Sequence, residues 1–105
     1  MALSRTTYRI TAAYPDSEKF GLVSQMRRAA ISIPSNLAEG AARHSNKEFR
    51  YFLSIARSSL SELDTQYDLS RQLDFISPAA RDEVDVTLER VDKMLFALQR
   101  ALTRP

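Results

Sequence analysis

The chain of 105 residues has no cysteine, two glycines, four prolines and one histidine. Without cysteine there can be no disulfide, thiolate metal site or cysteine nucleophile, and that absence does not argue against the cytosol. So few glycines and prolines leave out the punctuation that hairpins and parallel-sheet crossovers need. A single histidine, with no Gly-rich phosphate loop and no Glu-x-x-His pair, leaves little for nucleophilic, phosphoryl-transfer or di-metal chemistry. No catalytic residue, cofactor or metal is therefore expected. No stretch approaches the roughly 20 apolar residues of a membrane span, and "MALSRTTYRIT" has no apolar core of signal-peptide length. The expected compartment is the cytoplasm.

What is present is helical in character. Hydrophobic residues make up 44% of the chain, enough for one core and one all-α domain. Apolar residues at 3/4 spacing mark four helices, at about 2–13, 17–43, 46–73 and 78–102. The first stripe is Leu3, Thr7, Ile10 and Tyr14, ended by "YPDSEKF", where Pro15 breaks the helix and Asp16 or Ser17 caps the next. Ser45-x-x-Glu48 is a capping box for the third helix, whose stripe runs Phe49, Leu53, Ala56, Leu60, Leu63 and Tyr67. Ser77 followed by Pro78 starts the fourth. Its seam of Val84, Leu88, Val91, Leu95, Leu98 and Leu102 suits a bundle packed at a shallow angle, and short connections favour an antiparallel up-down-up-down order.

"SIPSNLAEGAAR", residues 32–43, is the one discordant stretch. Proline inside a helix removes an N–H, orphans the carbonyl four residues earlier (here Ala30) and costs roughly 3 kcal/mol or more. Yet the apolar stripe Val23, Met26, Ala30, Ile33, Leu37, Ala41 and the polar stripe Gln25, Arg28, Ser32, Asn36, Glu39, Arg43 both hold phase through position 34. One helix kinked at Pro34 is expected; the rival is a stop at Ser32 and a new cap at Asn36. A further face of this helix, Ile31, Pro34, Ser35, Ala38 and Ala42, is small and nearly uncharged, and calls for a covering surface, a second protomer being the expected one and a tight neighbour within the chain the alternative.

The run "SQMRRAAISIPSNLAEGAAR" with "KEFRYFLSIARSSLSELDTQ" resembles the bacterial four-helix-bundle family encoded within intervening sequences of 23S ribosomal RNA genes, with which accessory proteins of diversity-generating retroelements are grouped. Its signature falls on Gln25, Arg27, Arg28, Ser32–Gly40 apart from Ser35, Arg43, and Glu48 through Leu63 in part. Ser58 stands where the family usually has glycine, which would loosen a close helix contact there. The resemblance implies a left-handed antiparallel bundle, a ring-like homopentamer, no enzymatic activity and, in the retroelement branch, contact with nucleic acid and a reverse transcriptase.

Charge is unevenly distributed. Residues 1–57 carry nine Lys/Arg against four Asp/Glu, a net +5, and residues 58–105 carry six against nine, a net −3. Arg43, Lys47, Arg50 and Arg57 form a basic stripe placed to lie along phosphates, although it turns acidic at Asp64 and Asp68, which equally suits head-to-tail contact between protomers. If the second and third helices pair about their turn, Arg28 faces Glu62 and Glu39 faces Arg50. A partly buried register network of Gln25, Arg28, Asn36, Glu39, Glu62 and Gln66 is then expected, with a small-ligand pocket as the alternative. Asp64/Asp68 and Asp85/Glu89 are carboxylate pairs one turn apart, explained most simply as solvated faces near Arg71, Arg81 and Lys93, and His44 as an exposed loop residue. The sequence points to a non-enzymatic homo-oligomer whose partners are itself and RNA or a nucleic-acid-processing protein, the alternative being a protein-binding adaptor.

Overall fold

The computed structural model describes residues 1–104 and contains four α-helices: α1 (Ala2–Thr11), α2 (Leu22–Ala41), α3 (Asn46–Gln72) and α4 (Pro78–Thr103). α1 packs on α2 and α4, α2 on α3, and α3 on α4, so the four helices close a ring of neighbours around one core. Neighbours in sequence are antiparallel, because contacts climb one helix as they descend the next. Ser4 meets Ala30 and Tyr8 meets Arg27 between α1 and α2. Ser32 meets Ser59 and Met26 meets Ser70 between α2 and α3. Arg50 meets Leu102 and Arg71 meets Asp85 between α3 and α4.

The core is the set of stripes read from the sequence. Leu3, Thr7, Ile10 and Tyr14 are buried, as are Val23, Met26, Ala30 and Ile33, Leu53 through Tyr67 at their helical spacing, and Val84, Leu88, Val91, Leu95 and Leu102. Leu37, Phe49 and Leu98 are half-buried against it, and Ala41 lies outside. Ser45 Oγ accepts from the Glu48 N–H at 3.1 Å, and Ser77 Oγ accepts from the Ala80 N–H at 3.2 Å, so both expected caps satisfy an orphan donor.

The end of α1 and both ends of α2 differ from the sequence reading, α2 stopping at Ala41 rather than at 43. α1 ends at Thr11, and the second helix begins at Leu22 rather than near residue 17. Asp16–Glu18 forms a separate 3₁₀ turn, and the N-cap of α2 is Gly21, with neither Asp16 nor Ser17 capping it. Acidic residues after a proline suit any tight turn, and the apolar period that marks α2 resumes only at Leu22 and Val23. At its far end α3 closes with a left-handed residue that is not glycine: Asp74 has φ 58°. Phe75 N–H donates to Ser70 O and Asp74 N–H to Arg71 O, the double hydrogen bond of a Schellman closure.

α2 is a single helix through Pro34. The carbonyl that the proline orphans is satisfied from outside the helix: Ser4 Oγ on α1 donates to Ala30 O at 2.9 Å. A buried carbonyl without a partner costs about 1–3 kcal/mol, so this one hydroxyl removes much of the reason for a break. Three turns further on, Gly40 lets α2 close on α3. A Cβ there would stand 2.8 Å from Phe49 Cδ1 and 3.0 Å from Phe52 Cβ. Ser58, by contrast, sits exposed on the opposite flank of α3, beside α4, and is not where the helices come closest.

Candidate functional site

The turn between α2 and α3 delivers the basic residues to one end of the bundle, and the structure gives each a different environment. Arg43 pairs with Glu39 at 2.7 Å and lies 4.8 Å over the Phe52 ring. Lys47 is exposed and in no ion pair among the described residues. Arg50 and Arg57 lean the other way, toward α4. Arg50 Nη1 donates to Leu102 O at 2.7 Å, satisfying a carbonyl in the last turn of α4, and Arg57 donates to Gln99 Oε1. Two of the four expected phosphate contacts therefore also hold helices together.

The same end carries an aromatic side chain that the sequence reading passed over. Tyr51 is 62% exposed and meets Phe52 edge-on at 5.2 Å between ring centroids. It follows Lys47 by one helical turn, a basic–aromatic alternation on a solvent face that a search for core stripes alone does not register.

The register network is not formed as expected. No ion pair joins Arg28 to Glu62 or Glu39 to Arg50 among the described residues. Arg28 donates to Gln25 Oε1 on its own helix, Gln66 Nε2 donates to Glu62 Oε1 at 3.2 Å on its own helix, and Glu39 is taken by Arg43. Arg28, Glu62 and Gln25 are exposed, and in water an intrahelical partner one turn away competes well with one across a seam. What crosses between α2 and α3 is smaller and neutral: Ser59 Oγ donates to Ser32 Oγ at 2.8 Å, and within α2 Asn36 Nδ2 donates to that same oxygen at 3.0 Å and to Ser32 O at 2.8 Å.

Three of the four paired carboxylates are held by cations, and Asp64 is in no ion pair among the described residues. Arg71 binds Asp68 at 2.7 Å and also Asp85, and Lys93 binds Glu89 at 3.0 Å. The described residues bring no three His, Cys, Asp or Glu side chains together in metal-ligating geometry. His44 is exposed in the α2–α3 turn. The buried hydroxyls are structural in placement: Thr7 and Tyr67 share a hydrogen bond of 2.8 Å in the core, and burial pushes the Tyr67 phenol up to about 12.

Two surfaces are shaped for contact. Between α3 and α4 runs a groove of about 680 Å³ whose apolar floor is Leu53, Leu60 and Leu88. Arg50 and Arg57 line one end of it, and Asp64, Glu89 and Asp92 line the other. On the outside of α2, Ile31, Ser35, Ala38 and Ala42 are exposed and Pro34 half-exposed; Phe20, in the turn before the helix and 90% exposed, lines a hollow with Ile31, Tyr8, Arg27 and Arg28. No helix of the structure is long and apolar enough to cross a membrane.

Residues 1–97 match the family model described as 23S rRNA-intervening sequence protein. No curated protein matches the chain.

Proposed function

We propose, since this chain belongs to the 23S rRNA-intervening sequence protein family, that it is a non-enzymatic, homo-oligomeric helical scaffold of the cytoplasm that associates with RNA, or with a protein that processes nucleic acid. A pentamer is the assembly that the resemblance of its α2–α3 sequence implies. The observation that carries the reading is the segregation of charge. The α2–α3 turn, the first turns of α3 and the end of α4 contribute Arg43, Lys47, Arg50, Arg100 and Arg104 to one end of the bundle, against Glu39 and Glu48, and Arg57 follows about three turns into α3. Arg43, Lys47, Arg100 and Arg104 are exposed and Arg50 and Arg57 half-buried against α4; cations in that density attract a polyanion by releasing its counterions, and Tyr51 beside them offers a face on which an unpaired base can stack.

The experiment is a titration of a fluorescently labelled single-stranded RNA at rising salt, followed by anisotropy. Affinity should fall steeply with salt, and Lys47→Glu should weaken it about tenfold at low salt, a loss of about 1.4 kcal/mol. Anchoring of Arg50 and Arg57 to α4 supports a second reading, a protein-binding adaptor without nucleic-acid contact. Absence of RNA binding at low salt would select that one.

A further inference from the structure

We propose that the outer ridge of α2 in one copy of this chain seats in the α3–α4 groove of a second copy, in one direction only. The inference rests on the homo-oligomer reading above and deepens it by naming the two surfaces and their polarity. The groove is concave, with an apolar floor at Leu53, Leu60 and Leu88, and its walls carry Ser54, Ser58 and Ser61, side chains too short to fill it. The ridge is the solvent-facing side of α2, with a hollow at its start where Phe20 and Ile31 lie beside Tyr8, Arg27 and Arg28. Phe20 is 90% and Ile31 44% exposed, and Ala38 and Ala42 continue the line with side chains small enough for close backbone approach. A groove cannot fill a copy of itself, and neither can a ridge, so the pairing is heterologous: each copy uses one surface to give and the other to receive.

Charge then fixes the direction. Arg28 and Glu39 are both exposed along the same flank of α2, and at 1.5 Å per residue they are separated by about 16 Å along the helix axis. Along α3 the groove changes from Asp64 to Arg57 and then to Arg50, about 10 and 21 Å from Asp64 on the same rise. When Arg28 of the incoming helix lies beside Asp64, its Glu39 falls between Arg57 and Arg50, while Arg43, which pairs with Glu39 in the single chain, comes level with Arg50 and has to turn outward. The incoming α2 therefore runs antiparallel to the α3 that receives it. Turned end for end, it would set Arg28 against the two arginines and Glu39 against Asp64, Glu89 and Asp92, an arrangement that like charges disfavour. Those three carboxylates also argue against a nucleic-acid strand lying along the whole groove, since phosphates would be repelled from its acidic end.

Sedimentation of the full chain at micromolar concentration tests this, with far-UV circular dichroism to show that each variant keeps its helices. Wild type should sediment as an oligomer. Arg28→Glu and Asp64→Arg, both at exposed positions, should each shift the mass toward monomer, with the dissociation constant raised about tenfold or more. The chain carrying both reversals restores opposite charge between positions 28 and 64, with Glu89 and Asp92 still facing position 28, and should recover much of the wild-type mass. A wild-type oligomer that both single reversals leave intact, or a double reversal that fails to recover, overturns the groove-and-ridge contact while leaving oligomerisation standing. A wild-type monomer overturns both, and RNA binding through Lys47 is read separately in the titration above.

Discussion

Between α2 and α3 the closest contacts have a small residue on at least one side, with Gly40 against Phe49 and Phe52 and Ser32 against Ser59, whereas between α3 and α4 the links are made by long side chains, Arg50, Arg57, Arg71 and Arg81 reaching across. Short side chains allow two backbones to close until nothing but packing lies between them. Long ones span a gap and leave beneath them the groove floored by Leu53, Leu60 and Leu88. α3 thus has one neighbour that completes the fold and another that leaves room for a visitor. The first kind of seam should be intolerant of added volume and indifferent to salt, and the second should be the reverse.

The largest expected effect breaks the close seam. Gly40→Val should lower stability by about 3 kcal/mol, because its Cβ would meet Phe52 Cβ at 3.0 Å and its branch would crowd the Phe49 ring. Gly40→Ala should cost only about 1 kcal/mol, since alanine's better helix propensity offsets part of the clash. Urea unfolding midpoints of the two variants measure both. Next comes pH, acting on the sealed contact between α1 and α3. Tyr67 is held at about 12, above the ordinary phenol value of 10, so the folded state prefers the neutral form. Its contribution is complete below pH 10 and is lost as pH rises from there toward 12, at up to about 1.4 kcal/mol per pH unit. Tyr67→Phe should flatten that limb of the stability curve.

Smaller still is the gain at the end of α3, where Asp74→Gly relieves a left-handed backbone and should add up to about 1 kcal/mol, read as a rise in melting temperature. At the open seam, Arg57→Ala should change stability by no more than about 0.5 kcal/mol, because its partner Gln99 can turn to water. A loss several times larger would mean that the groove is as rigid as the seam opposite.

The helices, their stripes and two of their caps were legible in the sequence because periodicity and Ser-x-x-Glu or Ser-Pro signals act over one or two turns. The start of α2 was not, since Asp16, Ser17 and Glu18 carry the chemistry of a cap wherever a turn needs one, and only the return of the apolar period at Leu22 separates turn from helix. The pairing of Arg28 with Glu62 failed for another reason. The antiparallel sense was inferred correctly, as Ser32–Ser59 shows, but the register drifts away from the turn toward Met26–Ser70, and register in any case does not choose between a partner across the seam and one a turn away on the same helix. Continuity through Pro34 was readable from two stripes in phase; that Ser4 makes it possible was not, because the hydroxyl comes from a helix whose placement no local pattern encodes.

Both seams, and the ridge as well, depend on α2 being one rod with its inner side on the core and its outer side free, and that rod depends on how Ala30 O is satisfied. A double-mutant cycle on Ser4 and Pro34 tests this most directly. Ser4→Ala should cost about 1 kcal/mol in the wild-type chain, where Ala30 O has no N–H of its own helix to bond. In the Pro34→Ala background, where residue 34 regains its N–H, the same change should cost close to nothing. An equal cost in both backgrounds would contradict the account, for Ser4 would then be serving something other than the helix that the proline interrupts.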